Sequence, residues 1–148
     1  MNHPIRLFRR FPCRALPLAA LLAFFAMPGY AAEPGATSPA CDLLTRAEAS
    51  KILGKAVSDG KPGPDKKCFW EIPDGSGSIL IQIMPAGNYH LPSYGEKYRK
   101  LDGIGKQAWV SDDAAEAEVQ KQAIAVMVYG VKENGIIEAL KLAVGRLK

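Results

Sequence analysis

Apolar positions along this chain follow two periods, and each change of period marks where one element gives way to the next. Ala49, Ile52 and Leu53, with Leu44 just outside, recur at helical spacing. Thr45-Arg46-Ala47-Glu48 is a capping box ahead of them and Gly54 a stop behind them, which predicts a short first helix with one apolar side. Further on, Cys68, Trp70 and Ile72 alternate with polar neighbours, as do Ile79, Ile81 and Ile83. Pro73-Asp74-Gly75-Ser76-Gly77 between the two runs is hairpin punctuation, so these residues are the expected core faces of paired strands. Ser93-Tyr94-Gly95-Glu96 reads as a second capping box opening a short helix through Leu101, weakened by its internal glycine. Gln107 to Ser111 reads as a strand. The alternation from Ala115 to Gly130 divides near Lys121-Gln122 into a short strand and a long one. After the turn Asn134-Gly135, the residues Ile136, Ile137, Leu140, Ala143, Val144 and Leu147 form the apolar stripe of a C-terminal helix.

This order predicts a single small α+β domain: an antiparallel sheet of about five to six strands, packed on one face by an N-terminal and a C-terminal helix. Ser58 to Lys67, with Gly60, Pro62, Gly63 and Pro64, and Pro85 to Leu91 read as loops. A capping box and helix ahead of strands in each half give a faint internal echo.

One apolar stretch has neither period. Ala15 to Met27 is a short hydrophobic run behind Arg6, Arg9, Arg10 and Arg14, and it ends in Pro28-Gly29. That is the anatomy of a secretory leader, and it is shorter than the roughly 20 apolar residues that span a bilayer. Gly29-Tyr30-Ala31 offers small residues where a signal peptidase reads, so residues 1–32 are expected to be removed, with cleavage after Ala31 or Ala32. No cysteine directly follows the run, so a lipid anchor is not expected. Residues 33–40, with two prolines, read as a flexible lead-in, and 41–148 as the domain. The expected location is the periplasm or the exterior, without a stable membrane anchor.

The leader also changes the charge. All four of its arginines count towards a total of 19 Lys+Arg, while the 15 Asp+Glu lie wholly beyond it, so the remaining domain is formally neutral. That removes the electrostatic case for nucleic-acid binding. Cleavage also takes Cys13 and His3, leaving Cys41, Cys68 and His90. An even cysteine pair in an exported domain reads as a disulfide. Two cysteines and a histidine are too few ligands for a structural zinc site, and neither cysteine has the Cys-x-x-Cys spacing of a redox centre. No metal or cofactor is expected.

Catalytic patterns are equally thin. There is no Gly-x-Ser-x-Gly elbow, so no catalytic residue is assigned, and a small hydrolase would have to be built around His90. Gly103-Ile104-Gly105-Lys106-Gln107-Ala108 matches a dinucleotide fingerprint in letters, but it stands ahead of a strand instead of after one and reads as a turn. Asp112-Asp113 with Glu116 and Glu118 lacks calcium-loop spacing and reads as a charged turn.

Cys41-Asp42-Leu43-Leu44-Thr45, Glu48, Leu53-Gly54, Cys68-Phe69-Trp70 and Gly103-Ile104-Gly105 ahead of Ala108-Trp109 together resemble a pattern of small exported bacterial domains, often lipoproteins. The resemblance implies a shared scaffold with a Cys41–Cys68 bridge. It departs from the lipoprotein members in lacking a lipidation cysteine, and it carries over no catalytic residue.

The functional expectation is an exported, non-enzymatic binding or accessory protein whose partner is a protein or small molecule of the cell envelope. Tyr89, His90, Tyr94 and Tyr98 are its candidate binding residues, because clustered aromatics with polar tips are common at recognition sites. An alternative is an inhibitor of a secreted or host enzyme, inserting the 58–67 or the 85–93 loop.

Overall fold

A computed structural model describes residues 37–92 and 97–147. The expected leader over 1–32 and the first part of the lead-in lie outside the described residues, as does Tyr94. A 3-10 turn, Pro39–Leu43, begins the domain, with the Ser38 hydroxyl accepting from the Ala40 amide. Ala40 is fully buried, so Pro39 and Ala40 belong to the folded part and not to a flexible lead-in.

Helix α1, Arg46–Leu53, forms where the capping box predicted it. The Thr45 hydroxyl accepts from the Glu48 amide, the Glu48 carboxylate accepts from the Thr45 amide, and Gly54 ends the helix at φ 69°. The strands are β1 (Lys61–Gly63), β2 (Lys67–Glu71), β3 (Ser78–Pro85), β4 (Arg99–Leu101), β5 (Gln107–Val110), β6 (Ala114–Val119) and β7 (Gln122–Tyr129), followed by helix α2, Glu133–Arg146. All pair antiparallel, in the order β1-β2-β3-β7-β6-β5-β4.

The class is α+β as expected, but the sheet has seven strands where five to six were expected, and both additions are edges. In β1, Pro62 stands opposite Cys68, a position open to proline because an edge strand has one side without a ladder. In β4, Arg99, Lys100 and Leu101 pair with Val110, Trp109 and Ala108, so the helix expected through Leu101 is a strand over its last three residues. Pairing with β5 overrides the local signal. Among the described residues the internal echo is absent: the first half runs helix then strands, the second strands then helix.

The inner face of the sheet is apolar at every alternate position. Cys68, Trp70, Ile79, Ile81, Ile83, Ile124, Val126 and Val128 are buried there against Leu44, Leu53, Ile136, Leu140 and Ala143. Cys41 and Cys68 are bridged, which fastens the opening turn to β2. Arg146 near the end of α2 makes a two-pronged pair with Glu48, both contacts 2.7 Å, and a further bond to the Leu43 carbonyl, tying the two helices together.

Strand order forces one long connection. From β3 in the middle the chain must reach β4 at the far edge, passing β7, β6 and β5, a distance of about 19 Å at the usual strand spacing. The helices occupy the inner face, so this crossover runs over the other one. Its course is fixed by the Ala86 amide donating to the Lys121 carbonyl (3.0 Å) and the Trp109 indole donating to the His90 carbonyl (2.9 Å).

Candidate functional site

The crossover brings Tyr89 and His90 down onto β6 and β5. His90 Nδ1 faces two acceptors, the Asn88 carbonyl at 3.2 Å and Glu116 Oε2 at 3.6 Å. Glu116 is Trp109's cross-strand partner and is almost wholly buried, 2 % exposed. Among the described residues its Oε1 has no hydrogen-bond partner. Burial pushes the Glu116 carboxyl up from the usual carboxylate range, opposed by the charge and the backbone amide of His90. The Tyr89 hydroxyl is also raised, first by burial and then by the charges of Glu116 and Glu118.

Glu116 and Glu118 are not a charged turn, as their composition implied; both lie in β6 and both are buried. In Ala115-Glu116-Ala117-Glu118 the alanines face the core and the glutamates face the crossover. Glu118 is fully compensated: Lys106 Nζ donates to Oε1 at 3.0 Å and the Gln107 amide to Oε2 at 2.6 Å, which lowers its carboxyl. That pairing depends on the bend ahead of β5, where Gly103 and Gly105 have φ of 74° and 61°. A Cβ on Gly105 would run into the Glu118 carbonyl, so these glycines serve a turn and not a nucleotide.

Of the sequence-predicted group, Tyr89 and His90 sit together on Glu116, Tyr98 is exposed at the start of β4 and near enough to Tyr89 to influence it, and Tyr94 lies outside the described residues. The residues that sequence reasoning missed are Glu116 and Trp109. Their signal was present as period-two alternation, which places Glu116 on a strand face and makes its charge conspicuous.

Next to the row Lys67, Gln82, Ala125 and Glu116, this face carries one apolar row. Following the ladder, Phe69, Leu80, Met127 and Ala114 stand side by side across β2, β3, β7 and β6. Tyr129, next on the same side of β7, is opposite Ser78. Met127 is 52 % exposed and Tyr129 69 %. Beside Trp109, a depression of about 430 Å³ is lined by Lys97, Ser111, Asp112, Asp113 and Ala114.

Chemically, a histidine beside a carboxylate has the form of a base and its orienting group, but this imidazole is 72 % exposed. Among the described residues no group of three or more histidine, cysteine or acidic side chains is arranged to hold a metal ion, and no helix is long and apolar enough to cross a membrane. No family model, curated protein or solved structure matches the chain, so the resemblance to small exported domains rests on its own residues and lends none of them a role.

Proposed function

We propose that this chain is an exported, non-enzymatic binding or accessory protein that holds a protein partner against the helix-free face of its sheet. The carrying observation is the row Phe69, Leu80 and Met127, continued by Tyr129, on a face where a solvated antiparallel sheet would place polar residues. Contiguous exposed apolar surface of this kind marks interaction sites. A protein suits it better than a small molecule. The depressions, such as the one beside Trp109 and one of about 420 Å³ between Ser58 and Ser78, are shallow and open to water, whereas small-ligand sites are deep and enclose most of their ligand.

Pull-down from envelope fractions tests this reading with two double variants. Met127→Lys with Tyr129→Lys should lose the partners that wild type retains, while Lys141→Glu with Lys51→Glu, on the helical side, should keep them. If the first pair still captured the same partners as wild type, the open face would not be the binding surface.

One observation favours the inhibitor alternative. The 58–67 segment is not a loose loop: β1 and β2 form a hairpin whose tip residues Asp65 and Lys66 both have φ 56°, and its base is fastened by the Cys41–Cys68 bridge. A tip held in one conformation, as here also by the Ile83 amide donating to the Lys66 carbonyl, costs little to order on insertion. The 85–93 finger lacks this support, since Ala86 and His90 are bonded down onto the sheet. Incubation with panels of proteases and lysozymes decides it, and silence across both panels would end the inhibitor reading.

A further inference from the structure

The fold satisfies its other partly or fully buried carboxylates. Glu48 is held by Arg146, and Glu118, on the same face and strand as Glu116, is held by Lys106 and Gln107. Glu116 differs. It is the most deeply buried of the three, yet among the described residues Oε1 is without a partner, and the carboxylate is met only by the backbone amide of His90 and by a largely solvent-exposed imidazole that also faces the Asn88 carbonyl. Leaving a buried carboxylate half-satisfied is costly, and such a group calls for an explanation beyond packing.

We propose that Glu116 is the receiving carboxylate for a cationic side chain, the ammonium of a lysine or the guanidinium of an arginine, presented by the protein that occupies the open face. The inference rests on the reading of that face as a docking surface, and adds the chemistry at its centre. The surroundings favour a cation over a neutral donor. Asp112 and Asp113 line the depression beside Trp109, the cross-strand neighbour of Glu116, and are opposed among the described residues by Lys97 there and by Lys100 across from Trp109. Trp109 and Tyr89 supply aromatic surface next to the carboxylate, which suits an ammonium or guanidinium better than a hydroxyl. Met127 lies diagonally across the ladder, where it can cover the aliphatic stem of the incoming side chain. Entry requires the His90 ring to swing outward. Its backbone stays in place through the Trp109 indole, so the incoming cation takes the place of the imidazole without moving the strand.

The test is an NMR titration of the ¹⁵N-labelled protein with butylammonium and methylguanidinium chloride, against butanol and against sodium chloride at equal ionic strength. The cations should give saturable shifts at Tyr89 to Leu91 and at the Trp109 indole, with affinity of order millimolar for probes this small. His90→Ala should tighten binding severalfold by removing the competitor, and Glu116→Gln should weaken it at least tenfold. Should Glu116→Gln not fold, Glu116→Asp, which withdraws the carboxylate by one methylene, takes its place. Equal affinity in the Glu116 variant, or shifts no larger than those of butanol in both wild type and His90→Ala, would overturn the proposal. The two readings fail separately: a Glu116→Gln protein that captures partners as well as wild type, while Met127→Lys with Tyr129→Lys does not, removes the cation site and leaves the docking face standing.

Discussion

The two faces of the sheet are made by the same strands and obey opposite rules. On the inner face Trp70, Ile79, Ile81, Ile124 and Val126 are each 0–1 % exposed, and the charged groups at its margin, Glu48 and Arg146, satisfy one another. On the outer face Met127 and Tyr129 stand in water, and the buried charge, Glu116, is left with an open lone pair. One side is finished by the chain itself. The other is left by the described residues with an apolar row in water and an unpaired carboxylate oxygen.

If that contrast holds, substitutions should separate by face. The largest loss is expected for Trp70→Ala, about 3–5 kcal/mol by denaturant unfolding, because it empties the centre of the inner layer. Replacing Cys41 and Cys68 by alanine should cost about 3–4 kcal/mol for a span of 27 residues, seen as a lower melting temperature that reductant no longer affects. Glu48→Gln should cost about 1–3 kcal/mol through the charge-assisted bonds to Arg146. Tyr129→Ala and Met127→Ala should stay within about 0.5 kcal/mol. A Tyr129→Ala loss approaching that of Trp70→Ala would mean the outer face is structural after all.

Acid titration sharpens the same comparison, since the two glutamates slope in opposite directions. The Arg146 guanidinium holds Glu48 down from 4.5 to about 2. Its folded value lies below the unfolded one, so its stabilisation is complete above pH 4.5 and is lost as pH falls through 2. Glu116 is raised by burial, so ionising it in the folded state costs stability above pH 4.5, and acidification towards that value relieves the cost. Glu116→Gln should therefore be more stable than wild type at neutral pH, by a margin that shrinks as pH falls to 4.5. A margin that did not change with pH would show that Glu116 is not the group titrating there.

Much of the inner face was legible from spacing alone. Cys68, Trp70 and Ile72, and Ile79, Ile81 and Ile83, all turn inward, the capping box at Thr45 forms, and the division between β6 and β7 falls at Gln120-Lys121. These are local patterns whose period survives any choice of partner. What escaped is what depends on distant pairing. Lys61-Pro62-Gly63 has no strand propensity, and only the ladder with Lys67 to Phe69 makes it one. Arg99 to Leu101 likewise takes its conformation from β5. The site was half legible: Tyr89 and His90 stand out as an aromatic loop, but Glu116 joins them only because the crossover is forced over the outer face.

The adjacency of β3 and β7 reaches beyond the site. Within the sheet it is the seam where two consecutively wound meanders meet, joined by eight residue pairs from Ser78↔Tyr129 to Pro85↔Gln122. The first meander carries its own Cys41–Cys68 staple and the second its own helix α2. Severed in the crossover, the chain becomes two pieces that each retain local winding and share one ladder, the arrangement needed for a split protein. Reassembly of residues 37–92 with 97–148 would then be bimolecular, and its concentration dependence would report the strength of that seam together with the Glu48–Arg146 pair that spans the cut.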